Sequence, residues 1–191
     1  MMIKRMAVFC GARKGNQEKY IKQADALGKY MADHDIELVY GGGQFGLMGA
    51  LADAVLDNGG EVHGVITESL AERGVANPRV KDMRTVAGMN LRKEKMMEKA
   101  DGMLALPGGV GTLEEISQCT SWMTIGENPK PVAFYNLDGF YDHLRELFVE
   151  MNKDGFLEQR FLDAICFSEN FDEILSFMNN YKTPEYRKYR N

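Results

Sequence analysis

The chain has 191 residues and a formal net charge of −5, with 45% hydrophobic and 27% charged residues. This length suits one α/β domain with a sizeable core and makes a second domain unexpected. The interspersed charges argue against non-specific nucleic-acid binding, which usually needs a basic face, and no apolar run approaches the roughly 20 residues that span a bilayer.

Predicted strands and helices alternate along the chain, beginning with a short apolar strand at Met6–Cys10 rather than a signal-peptide core. Further strands are predicted at Glu37–Tyr40, Val62–Ile66, Gly102–Leu106 and Pro131–Tyr135, with short ones near Val80–Arg84 and Ala164–Phe167. Helices are predicted at Gln17–Asp33, Leu47–Leu56, Asn90–Lys99, Thr112–Ile125, Phe140–Lys153 and Phe171–Asn179. The rest of Thr67–Val86, which contains Pro78 and mixed charges, is assigned to loop.

This alternation predicts a single α/β domain over residues 1–191, with a mostly parallel sheet and helices on both faces. The tail, residues 181–191, is expected to be loosely ordered or to contact a partner chain. The cysteines Cys10, Cys119 and Cys166 are odd in number and widely spaced, so neither a disulfide framework nor a metal site is indicated. We therefore expect a cytoplasmic protein without a metal, and without nucleic-acid or membrane partners.

The first glycine-rich loop, Gly41–Gly49, follows the second predicted strand and contains a formal G-x-G-x-x-G match. Glycines let the backbone approach a ligand, and the following helix N-terminus favours an anion. A dinucleotide fingerprint normally follows the first strand and has an acidic residue at the end of the next one, which is missing here. We predict that Gly42 and Gly43 contact a nucleotide; a tight turn with close helix packing is the alternative.

The second loop, Pro107–Thr112, is more specific because it joins a buried strand directly to a helix. Gly108, Gly109 and Gly111 can expose backbone N–H groups to a phosphate, and the helix dipole adds attraction for negative charge. Thr112 can cap the helix or donate to a phosphate oxygen. No Lys-Ser/Thr pair follows the last glycine, so this is not a Walker A loop.

Two carboxylates, Glu114 and Glu115, follow the second loop. Acids in a first helical turn can simply complement the dipole, but these two point about 100° apart, so one can face a ligand. A carboxylate beside a bound sugar phosphate suits chemistry at the anomeric carbon, where it stabilises an oxocarbenium-like transition state or activates water. Arg92 and Lys93 lie at the start of another predicted helix. Either they form part of its solvent-exposed face, or they orient such a carboxylate. Ser121, two turns beyond the loop, could reach the ligand.

Together these motifs resemble the LOG (Lonely guy) family. The resemblance covers roughly Met6 to Gly155 and rests on Phe9-Cys10-Gly11, Tyr40-Gly41-Gly42-Gly43, Gly46-Leu47-Met48-Gly49, Met89-x-x-Arg92-Lys93 and Pro107-Gly-Gly-x-Gly-Thr-x-Glu-Glu115, continuing through Trp122, Gly126, Lys130-Pro131-Val132 and Asp138-Gly139-Phe140.

The resemblance implies a Rossmann-like fold and a phosphoribohydrolase. Such enzymes cleave the N-glycosidic bond of a cytokinin riboside 5′-monophosphate, or of AMP, without a cofactor, and are commonly homodimers or larger with the site near the subunit interface. The implied roles are phosphate binding by Gly108, Gly109, Gly111 and Thr112, catalysis by Arg92 and Glu115, and assistance to substrate binding by Lys93 and Glu114. Some related proteins are labelled lysine decarboxylases, but no motif for a pyridoxal phosphate lysine is present.

One departure from the family pattern lies after the first strand. Family members usually carry Cys-Gly-Ser-Ser, whereas this chain has Cys10-Gly11-Ala12-Arg13, so a hydroxyl contribution to phosphate binding is lost and Arg13 could substitute electrostatically. Two other hypotheses stay open: a non-catalytic nucleotide sensor of the same fold, and a dinucleotide-dependent oxidoreductase that uses the Gly41–Gly46 loop. The latter ranks lower because the acidic ribose partner is misplaced, and the physiological base also stays open.

Overall fold

The computed structural model describes residues 2–187. The strands in this range are β1 Arg5–Phe9, β2 Glu37–Tyr40, β3 Val62–Thr67, β4 Asp82–Val86, β5 Gly102–Ala105, β6 Val132–Tyr135 and β7 Ile165–Ser168. The helices are α1 Glu18–Asp33, α2 Gly46–Asp57, α3 Glu68–Glu72, α4 Met89–Lys99, α5 Val110–Ile125, α6 Asp142–Lys153, α7 Gln159–Leu162 and α8 Phe171–Asn179, with a short 3₁₀ turn at Leu137–Gly139.

The strands form one sheet in the order β4-β3-β2-β1-β5-β6-β7, and every pairing is parallel. The central strand β1 is buried on both sides, because its residues alternate between two apolar clusters, one on each face of the sheet. Met6 and Val8 pack into the cluster beneath α1, α2 and α8. Ala7 and Phe9 pack into the cluster beneath α4, α5 and α6. A strand buried on both faces is what a parallel sheet requires, and the predicted α/β class is confirmed.

The strand order changes direction at β1, which has β2 on one side and β5 on the other. In such sheets a crevice forms at this switch point, outside the carboxyl ends of the strands. The loops that follow β1 and β5 touch there, because the Gly11 N–H donates to the Pro107 carbonyl at 3.2 Å. The fold therefore brings these two loops together at the edge where ligands bind.

The segment between β3 and β4 differs from its prediction as a loop. Thr67 caps a helix of five residues, α3, by accepting a hydrogen bond from the Leu70 N–H at 3.3 Å. Strand β4 begins at Asp82, two residues later than predicted. A single helical turn is too short to show periodicity, and β4 is an edge strand whose exposed polar residues conceal its pattern. Helix α7, equally short, was also not predicted.

Part of the C-terminal tail contacts the body of the domain. The Thr183 hydroxyl donates to the Pro129 carbonyl at 2.7 Å, and the Arg187 N–H donates to the Thr124 carbonyl at 2.9 Å. The rest of the tail predicted to be loose, residues 188–191, lies outside the described residues. No helix within residues 2–187 is long and apolar enough to cross a membrane.

Candidate active site

A cavity of about 530 Å³ opens at the switch point of the sheet. Its walls come from the loops after β1 and β5 and from the first turns of α2 and α5. Leu70 and Val75, in and just after α3 and together called the α3 segment, also line it, with Arg92 of α4 at its base. Both the second glycine-rich loop and the carboxylate that follows it, Glu115, therefore line the same cavity.

The second loop presents a helix end to this cavity. Gly109 is the N-cap of α5, and no side chain among the described residues caps that end. The first α-helical hydrogen bond runs from the Leu113 N–H to the Gly109 carbonyl at 3.1 Å, so the N–H groups before Leu113 have no partner within the helix. Gly108, Gly109, Gly111 and Thr112 all line the cavity, and the helix end is available to an anion.

The glycines of this loop have two different functions. A Cβ atom on Gly108 would lie 2.2 Å from the Thr112 hydroxyl oxygen and 3.0 Å from the Gly11 nitrogen, so only glycine fits between these groups. A Cβ atom on Gly109 or Gly111 would meet nothing within 4 Å. These two glycines therefore leave space free above the helix end, where a phosphate would lie.

Arg92 and Glu115 form an ion pair at the base of the cavity, with 3.1 Å between Nη1 and Oε1. Both side chains are largely buried, with 7% and 11% of their surface exposed. The Arg92 guanidinium also donates from Nε to the Val65 carbonyl at 2.9 Å and from Nη2 to the Gly41 carbonyl at 3.1 Å. Because these carbonyls belong to β3 and to the residue after β2, the sheet itself fixes the guanidinium.

Burial raises the pKa of Glu115, and the attraction of Arg92 offsets this only in part. A carboxyl group with a raised pKa can hold or release a proton closer to neutral pH than an exposed one. It also lies in the first turns of α5, beyond the helix end that can hold an anion. The arrangement therefore places a buried carboxylate and an uncapped helix end in the same cavity.

The neighbouring residues Lys93 and Glu114 form a second ion pair between α4 and α5. The Lys93 side chain is buried and Glu114 is about half exposed, but neither residue lines the cavity. In this structure they join the two helices that carry Arg92 and Glu115, and their assistance to substrate binding stays a prediction.

In the first glycine-rich loop, Gly42 and Gly43 do not line the cavity, and their contact with a nucleotide stays a prediction. The Gly42 carbonyl accepts a hydrogen bond from the Asn77 N–H at 2.8 Å, and Gly43 forms an antiparallel bridge with Ala76. A Cβ atom on Gly41 would lie 1.8 Å from Arg92 Nη2. The loop therefore makes room for the guanidinium and pairs with the α3–β4 connection, which supports the alternative of a tight packing turn.

Ser121 is the other predicted site residue that lies outside the cavity lining. It is exposed on α5, about 9 Å along the helix from Glu115 and about 120° around it. Ser121 and Glu115 therefore face different sides of α5, and a ligand contact of Ser121 stays a prediction.

Several cavity residues were not identified as site residues from the sequence. Leu70 and Val75 belong to the segment that was assigned to loop, and Tyr20 and Phe140 come from the start of α1 and the approach to α6. Nothing in their local sequence marks them, because apolar residues of this kind usually fill cores. Only their position at the carboxyl edge of the sheet identifies them.

The fold and the cavity define an α/β enzyme-like protein with an uncapped helix end and a buried carboxylate–arginine pair at the switch point of a parallel sheet. A family model described as "Possible lysine decarboxylase" matches residues 48–178. The chain is 40% identical over 183 residues to the rice cytokinin riboside 5′-monophosphate phosphoribohydrolase LOG, covering 96% of this chain and 75% of that protein. It is 38% identical to LOG2 of Arabidopsis thaliana, covering 93% and 84%. The chain belongs to this family, the LOG phosphoribohydrolases.

Solved structures with the same fold include two proteins associated with the molybdenum cofactor. The molybdenum cofactor carrier protein of Chlamydomonas reinhardtii has a TM-score of 0.67 and 17% identity, covering 90% of this chain and 93% of that one. The molybdenum cofactor binding protein of Rippkaea orientalis has a TM-score of 0.67 and 17% identity, covering 94% and 97%. At this identity the likeness establishes the fold alone.

The lysines near the cavity do not fit the pyridoxal phosphate that a lysine decarboxylase uses. A Schiff-base lysine must point its amine into the site, in a setting that favours the neutral form. Lys93 is held by Glu114 outside the cavity lining, and Lys14 lies exposed in the loop after β1. The described residues therefore give the decarboxylase description no chemical basis.

Proposed function

We propose that this protein hydrolyses the N-glycosidic bond of a cytokinin riboside 5′-monophosphate, releasing the free base and ribose 5-phosphate. The observation that carries the proposal is the Arg92–Glu115 pair in the same cavity as an uncapped helix end. An anion site and a buried carboxylate at one ligand suit cleavage at the anomeric carbon of a sugar phosphate. The names of the relatives give the same reaction class.

In the proposed reaction the 5′-phosphate binds at Gly109, Gly111 and Thr112, which holds the ribose in register. This binding energy, far from the reacting carbon, contributes to positioning the sugar. The bond from C1′ to the base nitrogen breaks, its electron pair leaves with the base, and water forms the new bond to C1′. Glu115 stabilises the positive ribosyl ring and accepts the proton from water, while Arg92 fixes the carboxylate. The departing base takes up a proton, so the reaction consumes only water and needs no metal or redox cofactor.

The apolar wall of the cavity supports a base that carries an apolar substituent. Leu47 and Met48 of α2 and Leu70 and Val75 from the α3 segment line this wall. Burying an apolar group against such side chains contributes about 25 cal/mol per Å² of surface removed from water. We therefore expect isopentenyladenosine monophosphate to be a better substrate than AMP.

The proposal is tested by incubating the protein with isopentenyladenosine monophosphate, AMP and the corresponding nucleosides, and measuring released base by chromatography. We expect release from the nucleotides and much slower release from the nucleosides. A folded protein that binds these nucleotides but releases no base from any of them is a nucleotide sensor, and the hydrolase proposal is then wrong. Tight NAD binding with a hydride-transfer signal would instead support the oxidoreductase.

Replacing Gly109 by alanine is expected to weaken nucleotide binding without lowering stability. The new methyl group meets no protein atom within 4 Å, and Gly109 has an ordinary φ of −96°, so the fold accepts it. The methyl group instead takes space at the proposed phosphate position. Since a displacement of about 1 Å can cost about 100-fold in rate, we expect a loss of similar size in kcat/KM.

Gly88→Ala is the matched control for Gly109→Ala. Gly88 is also the N-cap of a helix, with an extended backbone and nothing within 4 Å of its added Cβ, but it does not line the cavity. We expect this variant to keep wild-type KM and melting temperature. If Gly109→Ala binds nucleotide as tightly as Gly88→Ala, the phosphate does not lie above Gly109.

We also propose that the protein is a homodimer or a larger homo-oligomer, in contact through an apolar face that comprises Met89, Leu91, Val110 and Leu113. These side chains are 43%, 39%, 87% and 42% exposed, and they lie where α4 and α5 are joined by their two ion pairs. Exposed apolar residues grouped in this way are typical of interfaces between subunits. Val110 also lines the cavity, so a second copy there would lie beside the proposed site.

Replacing Leu113 by aspartate is expected to convert the oligomer into a monomer, because a buried charge at such an interface has no partner. Light scattering after gel filtration measures the mass. Leu147→Asp is the control, since Leu147 is 50% exposed and belongs to α6 rather than to α4 or α5. A monomeric wild-type protein, or a Leu113→Asp variant with unchanged mass, would show that this face is not an interface.

A further inference from the structure

The loop after β1 forms part of the cavity lining and lies directly beside the loop that precedes α5. Its backbone is fixed on two sides: the Gly11 N–H donates to the Pro107 carbonyl at 3.2 Å, and the Gly11 carbonyl accepts from the Leu47 N–H at 2.9 Å. A Cβ atom on Gly46 would lie 2.3 Å from the Ala12 carbonyl carbon. The loop is therefore packed between the two glycine-rich loops, and its next residues, Arg13 and Lys14, line the cavity.

Arg13 and Lys14 are exposed cations without protein partners. Within residues 2–187 neither side chain takes part in an ion pair or a hydrogen bond. The other cations nearby are already neutralised, since Arg92 pairs with Glu115 and Lys19 pairs with Asp138 at 2.8 Å. The two side chains therefore give the cavity a local positive charge, although the chain as a whole carries −5.

The charge of the proposed ligand exceeds what the helix end can balance. A phosphate monoester carries about −1.5 to −2 charges at pH 7, whereas a helix N-terminus is equivalent to about +0.5. The Arg92–Glu115 pair contributes no net charge when both groups are ionised. About 1 to 1.5 negative charges therefore have to be balanced from elsewhere, and Arg13 and Lys14 are the uncompensated cations on the cavity wall.

We propose that Arg13 and Lys14 are specificity-determining residues that bind the dianionic 5′-phosphate and select nucleotides over nucleosides by charge. This inference rests on the proposed function and refines its phosphate site. A guanidinium or an ammonium group donates a charge-assisted hydrogen bond to a phosphate oxygen, which is roughly twice as strong as a neutral hydrogen bond from a hydroxyl group. Nucleotide binding consequently weakens with rising salt more steeply than it would at a hydroxyl-based site.

The test compares binding and turnover in Arg13→Ala, Arg13→Lys and Lys14→Ala. Each alanine variant is expected to raise the KM and the Kd for AMP by about tenfold, the size of one charge-assisted hydrogen bond, with kcat nearly unchanged. Binding of adenosine is expected to stay as in the wild type. Arg13→Lys keeps the charge and is expected to retain most of the affinity.

Arg84→Ala is the charge-matched control, because Arg84 is exposed on β4 and does not line the cavity. Binding of ribose 5-phosphate, measured by calorimetry at low and high salt, separates this inference from the proposed function, since it requires no cleavage. If the alanine variants at positions 13 and 14 bind ribose 5-phosphate like Arg84→Ala, the inference is wrong whether or not base is released. A loss of adenosine binding as large as the loss of AMP binding would also overturn the inference, because the loop would then act through its shape rather than through its charge.

Discussion

Replacing Glu115 by glutamine is expected to lower turnover of the nucleotide by about 10²–10⁴-fold, the usual contribution of a positioned acid–base group. The amide keeps the shape of the side chain and can still accept a hydrogen bond from Arg92. It cannot take a proton from water, and it gives little stabilisation to a cationic ribosyl ring. The kcat of the purified variant, measured by base release, checks this expectation.

The same variant is expected to be at least as stable as the wild type at neutral pH. Burial raises the pKa of Glu115 above the ordinary value of 4.5 despite the neighbouring Arg92, so the folded protein holds this proton more tightly than the unfolded chain does. The stabilisation from this group is therefore fully present at low pH and is lost as the pH rises through the folded pKa. Glutamine lacks this loss, so the stability difference should shift in favour of the variant as the pH rises above the ordinary carboxyl pKa of 4.5.

Glu114→Gln provides the comparison, because it removes the neighbouring carboxylate. This change is expected to affect mainly stability, whereas Glu115→Gln is expected to affect mainly turnover. It removes the ion-pair partner of the buried Lys93 while leaving the cavity lining intact. We expect a lower free energy of unfolding in denaturant and a smaller loss of turnover than in Glu115→Gln. Equal turnover losses in the two variants, or full activity in Glu115→Gln, would remove Glu115 from the proposed catalytic role.

Replacing Arg92 by methionine is expected to lower both turnover and stability. Arg92 contacts Glu115 and the carbonyl groups of Val65 and Gly41, and its loss leaves a buried carboxylate without its cation. Breaking a buried ion pair by removing one partner typically costs about 3–5 kcal/mol. We expect a decrease of this size in the free energy of unfolding at neutral pH, together with loss of base release.

The double variant Arg92→Met/Glu115→Gln shows whether the stability loss comes from the stranded charge. If it does, the double variant regains part of the stability, because no unpaired carboxylate remains. Arg84→Met on the exposed edge strand is the control and is expected to change stability by about 0.5 kcal/mol or less. An Arg92→Met variant as stable as this control would contradict the structural role derived for the guanidinium.

The variants Glu115→Gln and Arg92→Met separate the catalytic contribution of the Arg92–Glu115 ion pair from its structural contribution. Glu115 is held in the cavity at a cost in stability, since its raised pKa shows that burial outweighs its attraction to Arg92. Arg92 is retained by three protein oxygen acceptors and would be a structural element even without a substrate. Groups with perturbed pKa values concentrate at functional sites, which agrees with the catalytic role proposed for Glu115.

The sequence alone determined the features that depend on neighbouring residues. Alternating short apolar runs and amphipathic helices specified the parallel α/β sheet, because each element carries its own periodicity. The loop Pro107–Thr112 was identified as an anion site because strand, glycines and helix follow one another directly. Arg92 and Glu115 were paired from the family resemblance, and the structure places them 3.1 Å apart.

Only the tertiary structure decided what depends on elements far apart in the chain. The Gly41–Gly49 loop matches a nucleotide fingerprint locally, yet Gly42 and Gly43 pair with the α3–β4 connection and Gly41 accommodates Arg92, 51 positions further on. Leu70 and Val75 line the cavity, and Lys93 and Glu114 join two helices. These contacts are made between distant parts of the chain, so no local sequence pattern predicts them. A backbone rich in glycine can approach a ligand or another part of the protein equally well, and the packing of the whole chain selects between the two.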